Sequence, residues 1–189
     1  MSETRNCRDV VWRRSSELQT VEWCRLVESS NDNVVEGLIL GAVSGLPLRI
    51  EYRVVCHSNW LTSKVELRQQ YGRDGSRFEL ARDANGAWTR DGRPLPTLGR
   101  CTDVDLGFSP STNTLPIRRL ALGIGRSETI DAAWILFPDL QIRASPQTYT
   151  RLSDQSYRYA SGNFSAELTV DAAALVIDYW AWHRIGEMT

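Results

Sequence analysis

Metal-binding residues are scarce in this sequence. Its 189 residues include 2 histidines and 4 cysteines (Cys7, Cys24, Cys56 and Cys101), and no C-x-x-C pair occurs. A zinc site needs clustered thiolate or imidazole ligands, so we expect neither a metal nor another cofactor. We expect the thiols to be reduced, as in cytoplasmic proteins. His57 follows Cys56 directly, but adjacent strand residues point to opposite faces, which argues against a nucleophile–base pair.

Long apolar runs and an excess of charge are also missing. The longest apolar stretch, Ala132–Phe137, is far shorter than the roughly 18 residues of a membrane-spanning helix, and the amino-terminal segment lacks the apolar region of a signal peptide. The 22 basic and 23 acidic residues give a net charge of −1. Tyr52, Trp60 and nearby arginines could form an aromatic–basic platform for nucleic acid, but the charge balance argues against it. We expect a cytoplasmic protein without a transmembrane segment that does not bind nucleic acid.

Alternation of apolar and polar residues is the main pattern that is present. It is clearest in Leu46–His57, where the residues at even positions from 48 to 56 form one apolar face. Trp60–Gln70 repeats the pattern, with Leu61, Val65 and Leu67 on its apolar face. Shorter alternating runs occur at residues 77–80 and 164–171. These runs predict strands that bury one face.

Short turn sequences separate the strands and indicate how they are connected. Examples are Ser44-Gly45, Ser58-Asn59 and Asp91-Gly92. Short connections predict antiparallel neighbours, and strands with one apolar face need that face covered. We therefore predict one domain over residues 1–189, mainly all-β, with a single highly curved antiparallel sheet and one or two short helices. Leu115–Leu122 could form a helical turn or two, while Ile130–Leu136 fits either a buried strand or a short helix.

Residues 108–120 (FSPSTNTLPIRRL) interrupt the alternation. Their prolines cannot join a central ladder, so we expect them to set the directions in which this segment leaves and re-enters the sheet. The segment, with its Asn113-Thr114 turn, would cross the mouth of the roll. Asp103 and Asp105 precede it at strand spacing, which places both carboxylates on one face. Three interpretations are open: an Asp–Arg network that pins the loop, binding of a sugar or head group, and glycoside hydrolysis by paired carboxylates.

Arg118 and Arg119 stand next to each other in this segment. Arginine binds carboxylate or phosphate with two parallel hydrogen bonds, which suits an anionic lipid head group. Adjacent side chains diverge, so we expect one arginine to pair with Asp103 or Asp105 and the other to face a ligand. The sequence leaves open which does which.

Aromatic residues supply the remaining candidates. The chain has 7 tryptophans, and aromatic rings both stack on sugars and cover acyl chains. Tyr52, Trp60 and Trp88 fall in or beside the strands of the curved sheet, where they could line a concave wall. The alternative for each of them is ordinary packing in the core.

Several phrases of the sequence resemble one known family. CTDVDLGFSPSTNTLPIRRL resembles the signature segment of the bacterial family called putative glycolipid-binding, long classed as a domain of unknown function. The likeness extends to EYRVVCHSNWLTSKVEL, FPDLQIRASPQTYTRL and YRYASGNFSAELTVD. It implies a spiral β-roll, similar in shape to the lipoprotein carriers of the Lol system, a glycolipid ligand and no catalytic residue. Trp180 follows Asp178-Tyr179 where the family has a proline, a departure that concerns the C-terminal edge of the site.

The pattern and the resemblance lead to one functional hypothesis. We predict non-enzymatic binding of an amphipathic, glycolipid-like small molecule in the concave cavity of the sheet. The alternative is a hydrolase that acts on a sugar- or acyl-containing substrate through Asp103 or Asp105. A third possibility is an interaction module whose cavity is only packed core. The predicted ligand-binding residues are Asp103, Asp105, Asn113, Arg118, Arg119, Trp60, Tyr52 and Trp88, with no catalytic or metal-binding residue among them.

Overall fold

The computed structural model describes residues 6–16 and 18–188 as one curved 15-stranded sheet. Its strands are β1 (Asn6–Arg14), β2 (Gln19–Glu28), β3 (Asp32–Val43), β4 (Leu46–His57), β5 (Thr62–Tyr71), β6 (Asp74–Arg82), β7 (Trp88–Arg90), β8 (Arg93–Pro94), β9 (Asp103–Leu106), β10 (Ser127–Leu136), β11 (Gln141–Arg151), β12 (Ser156–Ser161), β13 (Phe164–Val170), β14 (Val176–Tyr179) and β15 (Trp182–Met188). Short 3-10 turns cover Pro96–Leu98 and Ser111–Asn113, and the helix α1 covers Thr114–Leu120.

The topology is two meanders joined at the middle of the sheet. The strand order runs from β8 down to β1, then from β15 down to β9, so the central pair is β1 with β15. All neighbours are antiparallel except β9 and β10, which are parallel. The two edge strands do not pair with each other, so the sheet stays open. These features confirm the prediction of a mainly β fold with one large curved sheet and little helix.

Strand β4 shows why the alternation was a reliable guide. It has the predicted bounds, and its even positions from 48 to 56 are buried. The prediction for the next strand was wrong at its start. Leu61 lies before β5 and is half-buried, because an irregularity after Val55 shifts the register and pairs Cys56 with Thr62. Thr62 therefore takes the buried position that was expected for Leu61.

The structure assigns a conformation to residues 115–122 and 130–136, for which the sequence left the secondary structure open. Ile130–Leu136 belongs to strand β10, whereas α1 occupies most of the span predicted to be helical. The helix ends at Ala121, whose φ of 44° places it in the left-handed conformation that closes many helices. Pro116 fits in α1 because it stands in the first turn, where the backbone N–H has no helical partner.

The position predicted for residues 108–120 was wrong. Residues 108–117 are all buried, so the segment fills the interior of the curved sheet instead of crossing its mouth. Thr112 Oγ1 accepts a hydrogen bond of 3.1 Å from the Leu106 N–H, and Thr114 Oγ1 donates one of 2.9 Å to the carbonyl of Ala174. Leu115 joins the apolar core. Compact helical turns satisfy their own backbone hydrogen bonds, which allows this polar-looking segment to be buried.

One continuous apolar core covers the inner face of both meanders. Trp12 is fully buried in it and donates a hydrogen bond of 2.8 Å from Nε1 to the carbonyl of Val176, which ties β1 to β14. No helix in the described part of the chain combines the length and the apolarity needed to cross a bilayer.

Candidate ligand-binding cavity

A cavity of about 620 Å³ lies between the end of β9, strands β10 to β13 and the β14–β15 hairpin. Its volume is within the usual range for small-molecule sites, about 300–1,000 Å³. Aromatic side chains form much of the lining, namely Trp134, Tyr159, Phe164, Tyr179, Trp180 and Trp182. Polar side chains also contribute, among them Asp105, Ser109, Asn113, Arg143 and Ser145. The cavity thus combines an aromatic wall with polar groups in one space.

The hairpin between β14 and β15 builds the aromatic wall. Tyr179 and Trp182 are opposite each other across the hairpin, and their rings stack 5.7 Å apart with an angle of 5° between planes. Trp180, at the turn, packs edge-on against Phe164 at 5.7 Å, and it is 57% exposed. The Trp180 found in place of the expected proline therefore contributes directly to the cavity lining.

The polar groups of the lining are held in place by neighbours. Asp105 Oδ2 accepts a hydrogen bond of 2.6 Å from Gln147 Nε2, and burial raises the pKa of Asp105 to about 6. Asn113 accepts a hydrogen bond of 3.0 Å from the hydroxyl of Tyr149. Asn113 also donates to the carbonyl of Pro110 at 3.0 Å. These contacts fix the orientation of the Asp105 and Asn113 side chains.

A buried carboxyl group lies directly behind the lining. Glu22 Oε1 accepts hydrogen bonds of 2.5 Å from Ser109 Oγ and from the Tyr52 hydroxyl. Burial raises the pKa of Glu22 to about 7 and also raises the pKa of Tyr52. Sequence reasoning missed Glu22. The available signal was its place in β2, on the face that it shares with the buried Cys24 and Leu26.

A buried arginine stands on the next strand. Arg14 is 8% exposed, and its guanidinium carbon lies 4.3 Å from the ring centre of Trp182 and 5.5 Å from that of Trp180. Burial lowers the pKa of Arg14 to about 10, against the attraction of Glu22, so the guanidinium stays charged at neutral pH. Its cation–π contacts help to hold the aromatic wall.

The predicted site residues fall into separate groups. Asp105 and Asn113 line the cavity, and Tyr52 reaches it through Glu22 and Ser109. Trp88 does not line this cavity: it is 2% exposed and donates a hydrogen bond of 3.0 Å to the carbonyl of Cys101. It packs in the core, which was the alternative considered for it.

The two arginines diverge, as their adjacency suggested. Arg119 forms the expected ion pair with Asp103, with 2.5 Å between Nη2 and Oδ2. Arg118 instead pairs with Glu28 and lies over the ring of Trp60, 4.9 Å from its centre. Arg118 and Trp60 line a smaller pocket of about 380 Å³, separate from the aromatic cavity.

The two aspartates of β9 do not act on a shared space. Asp103 is 1% exposed and tied to Arg119, whereas Asp105 alone lines the cavity. Within residues 6–16 and 18–188, no three His, Cys, Asp or Glu side chains cluster in a way that would hold a metal ion. The geometry thus offers a binding cavity with a single carboxylate from this pair.

Known proteins share both this fold and its sequence pattern. The crystal structure of a DUF1089 family protein from Pseudomonas aeruginosa at 1.80 Å resolution is 33% identical to the chain, with a TM-score of 0.79. The similarity covers 92% of this chain and 95% of that one. Among curated proteins, none matches the chain. The family described as "Putative glycolipid-binding" matches residues 9–184, and because this match spans nearly the whole chain, the protein belongs to that family.

Proposed function

We propose that the protein binds an amphipathic, glycolipid-like molecule in the aromatic cavity and releases it chemically unchanged. The observation that carries this proposal is the continuity of the stacked Tyr179–Trp182 wall with the polar groups Asp105, Ser109 and Asn113. Aromatic faces stack on sugar rings, aromatic edges contact acyl chains, and carboxylates accept hydrogen bonds from hydroxyls. The family description names the same ligand class.

Binding is favoured over hydrolysis by the placement of the carboxyl groups. Glycosidases of the usual kind need two carboxyl groups that flank the scissile bond. Asp103 is committed to Arg119, and Glu22 lies behind Ser109 with Oε1 already accepting two hydrogen bonds. Asp105 is therefore the acidic side chain that lines the cavity.

We also propose a cytoplasmic location and no nucleic-acid partner. A cytoplasmic location is supported by four free cysteines, of which Cys24, Cys56 and Cys101 are buried. The outer-face cations Arg53 and Lys64 pair with glutamates, which supports the proposal that nucleic acid is not a partner.

Calorimetric titration tests the proposed function. A neutral glycolipid detergent, n-dodecyl β-D-maltoside below its micelle concentration, should bind with one site per chain. Trp180→Ala should weaken this binding about tenfold, which corresponds to about 1.4 kcal/mol of stacking and apolar contact. Trp23→Ala is the matched control, since Trp23 is half-buried on β2 beside Arg25 and does not line the cavity.

Two results would contradict the proposed function. One is no binding by the wild-type chain together with no lipid in native mass spectra of the purified protein. The other is release of sugar or acyl products from a glycolipid extract by the wild type but not by Asp105→Asn, which would establish the hydrolase instead.

A further inference from the structure

We infer that the aromatic cavity selects a ligand whose head group carries a cationic nitrogen, and that Asp105 binds this nitrogen. The inference rests on the proposed function and specifies the head group of its amphipathic ligand. A positive charge on that head group goes beyond the glycolipid class that the family description names. Asp105 is then the residue that determines the charge specificity of the cavity.

One oxygen of the Asp105 carboxylate has no partner from the chain. Oδ2 accepts the hydrogen bond of 2.6 Å from Gln147. The other oxygen, Oδ1, receives no hydrogen bond from residues 6–16 or 18–188, and it is open to solvent. Asp105 is half-buried and lines the cavity. A ligand in the cavity can therefore reach Oδ1.

The other two polar groups on which the proposed function rests already have partners within the chain. Ser109 donates its hydroxyl hydrogen to Glu22. Asn113 uses both ends of its side-chain amide, since its nitrogen donates to a carbonyl and its oxygen accepts from a tyrosine. Of these three groups, Asp105 is thus the one that keeps a free acceptor for a ligand.

The charge of Asp105 also lacks a cation beside it. Burial and the Gln147 hydrogen bond set the pKa of Asp105, and no cation of the described chain contributes. Arg143 lines the same cavity, but the register places Trp134 between the two residues, so their backbones are two strand spacings, about 10 Å, apart. The Arg143 guanidinium is exposed and lies 5.0 Å from the ring centre of Trp134. A carboxylate withdrawn from water without a counterion is unfavourable.

Aromatic rings surround this carboxylate. Burial raises the pKa of the Tyr149, Tyr159 and Tyr179 hydroxyls, and the nearby charge of Asp105 adds to each shift. The Tyr159 ring lies 5.4 Å from that of Tyr149 and 6.1 Å from that of Tyr179. Phe164 continues this wall, 6.0 Å from Tyr159. The faces of aromatic rings are negative, so they attract cations and repel anions.

The combination favours an ammonium group over other head groups. An ammonium or alkylammonium supplies the positive charge that Asp105 lacks, and aromatic side chains are the usual partners of such cations in binding sites. A hydroxyl would supply a hydrogen bond to Oδ1 but no charge. A phosphate, sulfate or carboxylate would face both the Asp105 charge and the negative ring faces.

Four probes with the same decyl chain test the inference. They are decyltrimethylammonium, decylammonium, decyl sulfate and decyl β-D-maltoside, titrated calorimetrically at pH 7.5 below their micelle concentrations. We expect at least one cation to bind tenfold or more tightly than the sulfate, and the better of the two shows whether the nitrogen is quaternary or primary. Asp105→Asn keeps an oxygen for Gln147 and for sugar hydroxyls, so the ratio of cation to maltoside affinity should fall about tenfold. Asp139→Asn, at an exposed carboxylate in the β10–β11 turn, should leave that ratio unchanged.

The pH dependence of binding is a second readout, which stays available if Asp105→Asn fails to fold. The pKa of Asp105 is raised to about 6, so the carboxylate is present at pH 7.5 and is lost as the pH falls through 6. Affinity for the better cation, which stays charged over this range, should drop about tenfold between pH 7.5 and pH 5. The three tyrosines stay uncharged, Arg143 stays charged, and Asp103 remains in its ion pair. Glu22, with a pKa of about 7, also titrates, so Glu22→Gln should retain the drop.

The outcomes separate the inference from the proposed function. Binding of the sulfate as tightly as the cations, or a cation affinity that is equal at pH 7.5 and pH 5, would refute the inference. A cation preference that persists in Asp105→Asn would refute the assignment to Asp105. In each of these cases, binding of the maltoside leaves the proposed function in place. Failure of all four probes to bind would refute both.

Discussion

Replacing Arg119 by alanine should destabilise the fold far more than the same change at Arg118. Asp103 is 1% exposed, and its oxygens accept hydrogen bonds from Arg119 Nε at 3.2 Å and Nη2 at 2.5 Å. The hydroxyl of Thr102 supplies one further contact at 2.7 Å. In Arg119→Ala, the buried carboxylate of Asp103 keeps one short hydrogen bond, from the uncharged hydroxyl of Thr102. Removing one partner of a buried ion pair costs about 3–5 kcal/mol, and we expect Arg119→Ala to fall in that range.

The ion pair of Arg118 is more exposed to solvent than that of Arg119. Its side chain is 33% exposed and that of Glu28 is 21% exposed, so water can solvate either charge when the other is removed. An ion pair of this kind contributes about 1 kcal/mol or less, and the contact with Trp60 contributes a similar amount. Arg118→Ala should therefore cost about 1–2 kcal/mol.

Urea unfolding followed by circular dichroism separates the two cases. With a slope of about 2–3 kcal/mol/M, Arg119→Ala should lower the midpoint by roughly 1–2.5 M, and Arg118→Ala by less than about 1 M. Arg158→Ala is the control, because Arg158 and its partner Glu167 are 51% and 65% exposed. Adding Asp103→Asn to Arg119→Ala should recover part of the loss by removing the stranded charge. A loss below about 1 kcal/mol for Arg119→Ala would refute the buried pair.

Three further outcomes follow from single positions. Burial raises the pKa of Glu22 from 4.5 to about 7. Its contribution to the free energy of unfolding is therefore fully present below pH 4.5 and is lost as the pH rises to 7. The loss is on the order of 3 kcal/mol. Urea melts at pH 5 and pH 8 should show that Glu22→Gln removes most of this loss, leaving the smaller slope of the same sign from Asp105. Gly37→Ala would place a Cβ 2.5 Å from the ring of Tyr52, so the melting temperature should fall in line with a loss of about 2–3 kcal/mol. Ala121→Gly should raise the free energy of unfolding by about 0.5–1 kcal/mol, because glycine adopts the φ of 44° without strain, and an unchanged urea midpoint would contradict this.

The strands were predictable wherever the alternation of apolar and polar residues agreed with the positions of the turn sequences. The bounds of β4 were correct because Ser44-Gly45 and Ser58-Asn59 mark both of its turns and its period-2 pattern is unbroken. The start of β5 was not predictable, since the irregularity after Val55 has no local signature. The burial of residues 108–117 was also not predictable from the sequence, because polar side chains such as Thr114 form hydrogen bonds with residues far along the chain.

The site was predictable only where it lies within the signature segment. Asp105 and Asn113 were predicted to bind a ligand, and both line the cavity; ligand binding by them stays a prediction. Glu22 and Arg14 were missed because their neighbours come from register, not from nearby sequence: Arg14 meets Trp182 across the central strand pair. A charged residue on the buried face of a strand is the signal to look for in other sequences of this kind.

The central pairing of β1 with β15 has a consequence for how the chain is made. On the ribosome, β1 and β2 emerge early, but the other edge of β1 stays unpaired until β15 leaves the exit tunnel. For most of synthesis that edge offers free N–H and C=O groups to any neighbouring chain, the usual starting point of edge-to-edge aggregation. Like other sheets, the growing meander has a right-handed twist. The exposed residues Cys7 and Arg13 lie on β1. A charged side chain such as Arg13 on an exposed strand edge disfavours pairing with another chain.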